Sequence, residues 1–199
     1  MTTASGRAAT IDVALLDDLA DDPPSRAGLL RALGEVTAAP GQDRFVPSAA
    51  ETLALAQADP DRHVLVVRRG GVVVGLGVLH PGGAPDEVVA LVGGGSDARD
   101  VVLFRGFLVD RGHQGVGVGT AVSAALPDVS DRLAEKLGRR PFTTVVLTVN
   151  EANTPGLRAY ARAGFADRGR YLGGDAGPQR VMALAVVLGG FAAASSSGA

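Results

Sequence analysis

The chain of 199 residues contains no cysteine and no tryptophan. Without cysteine it can form no disulfide scaffold, thiolate zinc site, iron–sulfur cluster or cysteine-linked acyl enzyme. Lysine is almost absent too, since Lys136 is the single lysine among 19 basic residues. The 21 acidic residues leave a formal net charge of −2, so there is no basic excess that would neutralise the phosphates of a nucleic acid. We therefore expect no nucleic-acid partner.

Long apolar runs are also missing. The longest mostly apolar stretch, residues 181–194, is too short to cross a bilayer and is interrupted by Gly189 and Gly190. Near the start, Asp12, Asp17 and Asp18 fall where a secretion signal needs an uninterrupted apolar segment. These features predict a cytoplasmic protein with no membrane partner.

The composition that remains is that of a globular protein. Hydrophobic residues make up 46% of the chain and charged residues 20%, which is enough to bury a core. We expect one domain over residues 10–188, with flexible termini at residues 1–9 and 189–199. The dominance of alanine, valine, glycine and arginine is what a GC-rich bacterial genome would produce.

Periodicity and turn signals predict an α/β domain with a mixed sheet. A helix is expected at about residues 24–36, and Ser48 and Glu51 form a capping box for a second helix. Pro127 should kink or end a third helix that starts at Thr120, with residues 129–137 as its continuation. The other predicted elements are a hairpin (64–67 and 72–79), strands at 101–109, 143–149, 165–171 and 180–187, and a short helix at 154–163.

A glycine-rich loop, residues 110–120, connects the predicted strand 101–109 to the third helix. Glycines at such a place let backbone N–H groups approach a phosphate at the positive end of a helix dipole. The loop has no lysine for a P-loop, and its Gly115, Gly117 and Gly119 do not match the dinucleotide fingerprint G-x-G-x-x-G. It does match the pattern Gln/Arg-x-x-Gly-x-Gly/Ala, through Gln114, Gly117 and Gly119.

A second segment lies downstream and contains one of the two asparagines and one of the two tyrosines of the chain. Asn153, Tyr160, Gly164 and Phe165 fit the pattern N-x-x-A-x-x-x-Y followed by x-x-x-G-F, with Gly156 where alanine is common. Together the two segments resemble the GNAT superfamily of acetyl-CoA-dependent N-acetyltransferases, over about residues 64–187. The resemblance implies a mostly antiparallel mixed sheet flanked by helices, with a V-shaped splay between two central parallel strands.

The resemblance also implies acetyl-CoA as co-substrate, with no metal. The backbone of Leu108 and Val109 would meet the pantetheine arm. The pyrophosphate would lie against the backbone amides of Gln114, Gly115, Val116, Gly117, Val118, Gly119 and Thr120.

Individual side chains have alternative interpretations. Asn153 is either a helix N-cap or a coenzyme contact, and Asn150 either contacts the coenzyme or serves a turn. Tyr160 is the expected catalytic residue, because its phenol can donate a proton to the departing thiolate. The alternative interpretation is that Tyr160 is a core residue without a catalytic role.

The general base is not identified by sequence. His80 and Glu87 are candidates, although a lone loop histidine or carboxylate is more often solvated surface. Arg105 alternates with Phe107 and Val109 along its strand, and either faces an acid group of the substrate or lies at a sheet edge. Arg158 and Arg162 either meet the adenosine 3′-phosphate or are solvated helix residues.

We expect an enzyme that transfers acetyl from acetyl-CoA to a primary amine of a small molecule by direct attack. The sequence leaves open a protein or peptide N-acetyltransferase, a non-catalytic acyl-CoA-binding module and a nucleotide-binding enzyme. Residues 108–115 also resemble the spermidine and diamine branch, but Gln179 and Arg180 stand where that branch often has an acidic residue. A homodimer is common among such proteins, yet no feature of this sequence argues for one.

Overall fold

The computed structural model describes residues 9–19, 22–41, 45–93, 97–174 and 177–186. Its strands are β1 (Ile11–Leu15), β2 (His63–Arg69), β3 (Val72–Pro81), β4 (Val101–Val109), β5 (Thr144–Asn150), β6 (Ala166–Tyr171) and β7 (Gln179–Ala185). They form one sheet in the order β1-β2-β3-β4-β5-β7-β6. Every neighbouring pair is antiparallel except β4 and β5, which are parallel. The expected mixed, mostly antiparallel sheet is confirmed.

The helices are α1 (Leu16–Leu19), α2 (Pro23–Gly34), α3 (Ala49–Gln57), α4 (Asp86–Val92), α5 (Val118–Lys136) and α6 (Thr154–Arg162). The predicted capping box begins α3, because the Ser48 hydroxyl accepts from the Glu51 N–H at 3.2 Å while Glu51 Oε2 accepts from the Ser48 N–H at 2.8 Å. In the described part of the chain, no helix is long and apolar enough to cross a membrane.

Helices cover both faces of the sheet. On one face, α5 buries Val122, Leu126 and Val129 against β-strand residues in the largest apolar cluster. On the other face, α2 and α3 pack over β2 and β3, and α4 packs over β4, β5 and β7. Because the central strands are buried on both sides, they are near-continuous apolar runs, which is why the sequence showed them clearly.

The sequence did not predict three of these elements, β1, α1 and α4. β1 is a short edge strand, and α4 lies between two turn-rich stretches that dominated the sequence pattern. Pro127 does not end the helix, since α5 runs through it to Lys136, as the predicted continuation requires. A kink at Pro127 stays a prediction. Proline removes only one helical hydrogen bond, and Leu126 and Val129 on either side of it are both buried in the same cluster.

A bulge in β4 determines which way its side chains point. Leu76 pairs with Leu108 and Val78 pairs with Arg105, so two steps along β3 oppose three steps along β4. Gly106 at the bulge has φ +61°, and a Cβ there would lie 2.9 Å from Thr52 Cγ2, so both the backbone and the space require glycine.

Simple alternation along β4 predicts that Arg105 shares a face with Phe107 and Val109. Because of the bulge, it does not. Phe107 and Val109 pack with Phe104 in the cluster covered by α5. Arg105 instead lines a cavity with Thr52 of α3, on the opposite face of the sheet.

The parallel strands β4 and β5 separate along their length. They pair only through Val101–Thr144, Val102–Val145 and Leu103–Val146, although both strands continue for several residues. This is the predicted V-shaped splay. From Phe104 onwards, the edge of β4 that faces β5 has no strand partner among the described residues.

The predicted termini, residues 1–9 and 189–199, lie outside the described residues apart from Ala9. The domain limits at 10 and 188 stay a prediction.

Candidate active site

A cleft of about 500 Å³ opens where β4 ends, α5 begins and α6 crosses. Most residues that the sequence predicted for the coenzyme site line this cleft: Leu108, Val109, Gln114, Gly115, Gly117, Val118, Gly119, Thr120, Asn153 and Tyr160. Val116 and Asn150 do not belong to its described lining, and Val116 has a 48% exposed side chain. Two segments far apart in sequence therefore meet at one cavity.

The loop between β4 and α5 is held in place by Asp110. One carboxylate oxygen accepts from the Gly112 N–H at 2.9 Å, and the other accepts from the N–H and hydroxyl of Thr37 at 3.2 and 3.1 Å. The Arg111 N–H donates to the Thr37 carbonyl at 2.9 Å. These bonds lower the pKa of Asp110, chiefly the bond from Gly112. The loop is thereby fixed to the segment that follows α2.

The N-terminus of α5 points into the cleft without a capping side chain. The first backbone hydrogen bond at this end of the helix runs from the Ala121 N–H to the Gly117 carbonyl at 3.0 Å, so the N–H groups of Val118, Gly119 and Thr120 precede the helical ladder. Gly115 and Gly117 have φ +74° and +88°, which turns the chain sharply into the helix. Such a terminus attracts an anion through exposed donors and the helix dipole.

Gly119 has no conformational reason to be glycine. Its φ is not positive, and a Cβ placed there would meet only a Phe107 ring carbon at 4.0 Å. The folded chain has room for a side chain at this position, and that room faces the cleft. Close approach of a ligand to the backbone would explain a small residue here, and the loop pattern allows alanine as well as glycine.

Gln114 contacts the end of β4. Its side-chain amide donates to the Val109 carbonyl at 3.0 Å, which joins the loop to the strand. The glutamine that begins the loop pattern therefore has a structural role, in addition to any contact with a ligand.

Asn153 caps α6. Its Oδ1 accepts from the Gly156 N–H at 3.1 Å, and Pro155 follows in the first turn. A Cβ on Gly156 would lie 2.7 Å from Asn153 Nδ2, so the glycine that replaces the common alanine makes room for this side chain. Because Asn153 also lines the cleft, the cap and a ligand contact are compatible.

Asn150 is 8% exposed and lies at the end of β5. Its Oδ1 accepts from the Ala152 N–H at 2.9 Å, and its carbonyl accepts from the Asn153 N–H at 2.8 Å. The structure thus places Asn150 in the turn, and its contact with a coenzyme stays a prediction.

Tyr160 packs against the main core while its phenol lines the cleft. Its ring meets that of Phe165 edge-on, with centroids 5.5 Å apart. Burial raises the pKa of the Tyr160 phenol above its ordinary value of about 10, so the hydroxyl is neutral and can donate a proton. Among the described residues, no hydrogen-bond partner of this hydroxyl is present.

A second cavity of about 280 Å³ adjoins the cleft. Phe45 and Val46 line both cavities, and the boundary runs between neighbouring residues of β4, because Gly106 lines the second cavity and Phe107 the first. The two spaces therefore follow each other along the splayed strand.

A family model described as the acetyltransferase (GNAT) family matches residues 30–165, which is more than half of the chain. The chain belongs to the acetyltransferase (GNAT) family. No curated protein sequence matches it. The GNAT family consists of acyl-CoA-dependent N-acyltransferases, so the expected enzyme class is confirmed.

Solved structures of GNAT proteins share the fold. The chain is similar to an aminoglycoside acetyltransferase AAC(6′)-Ib in complex with coenzyme A (19% identity, 88% of this chain and 95% of that one, TM-score 0.57). It is similar to the ribosomal-protein-S18-alanine N-acetyltransferase from Escherichia coli (18%, 92% and 98%, 0.54). A third is spermidine N-acetyltransferase from Vibrio cholerae in complex with CoA and spermine (14%, 88% and 95%, 0.55). At such identities the likeness shows the fold and leaves the acceptor of this GNAT chain open.

The two candidate bases of this GNAT chain do not line either cavity in the described structure. Glu87 is exposed in the first turn of α4. His80 lies with its Nε2 3.5 Å from Asp59 Oδ2, and burial lowers its pKa. Arg162 lines the cleft, whereas Arg158 does not and is exposed.

Sequence reasoning missed most of the second cavity. Arg62, Thr148, Tyr171 and Gln179 line it, and they come from a loop and from three strands that meet only in the folded sheet. No regular spacing in the sequence connects these four residues, so a pattern search could not have grouped them. The described residues contain no cluster of three or more histidine, aspartate or glutamate side chains that would hold a metal ion.

Proposed function

We propose that this GNAT protein transfers an acetyl group from acetyl-CoA to the primary amine of a small molecule by direct attack. The observation that carries the proposal is the uncapped N-terminus of α5, which opens onto a cleft that also contains the Tyr160 phenol. A pyrophosphate fits the N–H groups of Val118, Gly119 and Thr120. Arg162 at the same cleft offers a positive charge for a further phosphate.

The splay supports the placement of the pantetheine arm. Beyond Leu103, β4 has no pairing with β5 among the described residues, and amides of an extended ligand can supply the missing hydrogen bonds. Leu108 and Val109 lie at this part of the strand and line the cleft. The acyl group would then lie toward the boundary with the second cavity.

The reaction forms a bond between the amine nitrogen and the thioester carbon, and it breaks the bond between that carbon and sulfur. The departing thiolate takes a proton from the Tyr160 hydroxyl, the amine loses its proton to water, and the Tyr160 phenolate regains a proton from water. The chain has no cysteine to form an acyl enzyme, which supports direct attack.

The small second cavity favours a small-molecule acceptor over a peptide. Its volume of about 280 Å³ is at the lower end of ligand pockets. We place the reaction in the bacterial cytoplasm, as the sequence predicts.

A thermal melt with acetyl-CoA tests the coenzyme part of the proposal. At about 100 times the Kd, linkage should raise Tm by roughly 5–10 °C for a domain of this size. ATP and NAD serve as controls and should give no shift. A shift with ATP or NAD but not with acetyl-CoA would contradict the proposal.

Two substitutions at one position sharpen this test. Glutamate in place of Gly119 adds a negative charge at the N-terminal end of α5, which favours the helix itself but repels a phosphate. Gly119→Glu should therefore fold and lose the acetyl-CoA shift, whereas Gly119→Ala, which the loop pattern allows, should keep it. Equal shifts in both variants would place the coenzyme elsewhere.

A further inference from the structure

Arg105 is exposed to solvent and lines the second cavity, and it has no counter-ion among the described residues. The bulge at Gly106 turns its side chain to this side of the sheet, and in the described structure no carboxylate forms an ion pair with it. Desolvation and the neighbouring Arg62 lower the pKa of the Arg105 guanidinium. A cation held at such a place is stabilised by any anion that enters.

Arg62 lines the same cavity. Among the described residues its ion-pair partner is Asp59, which also faces His80. The Arg62 Nε donates to Asp59 Oδ2 at 3.0 Å, and the same oxygen faces His80 Nε2 at 3.5 Å. Burial lowers the pKa of His80, which keeps the imidazole neutral at pH 7. The described lining of the cavity therefore carries two guanidinium groups and no carboxylate, because Asp59, which pairs with Arg62, and Asp61, which acts on His80, lie outside it.

The rest of the described lining adds no negative charge. Its remaining polar side chains are those of Thr52, Thr148, Tyr171 and Gln179, and none of them is a carboxylate. A polyamine entering this cavity would meet like charges, which disfavour its binding. A carboxylate would meet the geometry that a guanidinium recognises best, with two parallel N–H donors.

We propose that the acceptor is an amino-acid-like zwitterion whose carboxylate is bound by Arg105, with Arg62 beside it, while its amine faces the acyl group. This inference rests on the proposed acetyl transfer and names the substrate class. Arg105 directly precedes Gly106, which lies at the boundary between the two cavities. The carboxylate and the reacting amine are therefore expected to be only a few bonds apart.

Matched acceptors test the proposal. Free L-amino acids are compared with their α-amides, which keep the side chain and the amine but have no negative charge, and spermidine provides a cationic acceptor. Thiol release from acetyl-CoA gives kcat and KM for each. We expect one or more amino acids to exceed their amides in kcat/KM by about 10-fold to 100-fold, the value of a charge-assisted hydrogen-bonded pair.

The variant Arg105→Gln should remove this difference. It should raise KM for the amino acid by about 10-fold to 100-fold and leave the rate with the amide within about twofold. Arg31→Gln, at an exposed arginine of α2 that belongs to the described lining of neither cavity, is the matched control for loss of one positive charge. It should behave as the unmodified protein, and both variants should keep the acetyl-CoA shift in Tm.

Three results would overturn the inference. They are amides or spermidine reacting as well as amino acids, an equal loss for both acceptor types in Arg105→Gln, and a normal acetyl-CoA shift with no thiol release from any amino acid. A protein that shows no acetyl-CoA shift at all would instead reject the proposed function from which the inference starts.

Discussion

Tyr160 combines two properties that a proton donor to sulfur needs. Its phenol lines the cleft, and burial raises its pKa above the ordinary value. The group therefore keeps its proton through the pH range in which a protein is assayed, and it loses the proton only when the pH rises through the raised value. Its ring is held by Phe165, which fixes where the hydroxyl points.

Replacing Tyr160 with phenylalanine should separate catalysis from binding. The ring and its contact with Phe165 remain, but the proton donor is lost, so we expect kcat to fall by about 10²-fold or more. The acetyl-CoA shift in Tm should be retained. In the unmodified protein, kcat should show no decline caused by deprotonation of Tyr160 up to about pH 10. An unchanged kcat in the variant would favour the core interpretation of this residue.

The sequence could single out Tyr160 and Asn153 because both belong to rare residue types within one recognisable spacing. It could not place Arg105. The orientation of that side chain depends on a bulge at Gly106, which is opposed by Thr52 from a helix some fifty residues earlier. Such a contact is absent from any local pattern, and so the strand appeared to alternate without interruption.

At the scale of elements, the loop before α5 depends on a contact with a distant part of the chain. Asp110 joins Gly112 within the loop to Thr37 after α2. Sequence patterns located the loop and its glycines, because the turn chemistry is local. They did not reveal the partner at Thr37, nor α4, whose short length and turn-rich flanks hid its helical spacing.

Asp110→Ala should loosen this loop. Loss of a capping carboxylate costs roughly 1 kcal/mol of stability, and the less ordered loop should bind acetyl-CoA more weakly. Asp110→Asn keeps one acceptor oxygen for the Gly112 N–H. The amide NH2 that replaces the second oxygen cannot accept the two hydrogen bonds from Thr37, so we expect an intermediate effect. Melts with and without acetyl-CoA measure both quantities.

The pH dependence of the Asp110 effect follows from its lowered pKa. The carboxylate stabilises the folded state above its unfolded pKa of about 3.9, and this contribution is lost as the pH falls through the lower folded value. The gap in Tm between the unmodified protein and Asp110→Asn should therefore be full at pH 7 and shrink below about pH 4. Asp128→Asn, an exposed residue of α5, is the control. A gap that is constant with pH would mean that the charge of Asp110 does not matter.

At the scale of the whole molecule, the strands of the sheet pair with their neighbours except where β4 and β5 separate. β5 pairs with β7 along its full length from Thr144 to Asn150, and β4 pairs with β3 on its outer side. Apolar clusters on both faces hold these strands in place. We therefore expect the separation of β4 from β5 after three residue pairs to persist without a ligand, so that a coenzyme enters an opening that already exists.

Hydrogen exchange should reveal this opening directly. Backbone amides in the second half of β4 that face the splay have no strand partner among the described residues, so they should exchange quickly in the free protein and become protected with acetyl-CoA. Amides of β5 that pair with β7 should exchange slowly in both states and serve as the internal reference. If the second half of β4 were as protected in the free protein as it is with acetyl-CoA, the splay would be closed in solution. Binding would then have to separate the strands, and it would be correspondingly weaker because part of the binding free energy would be used to open the sheet.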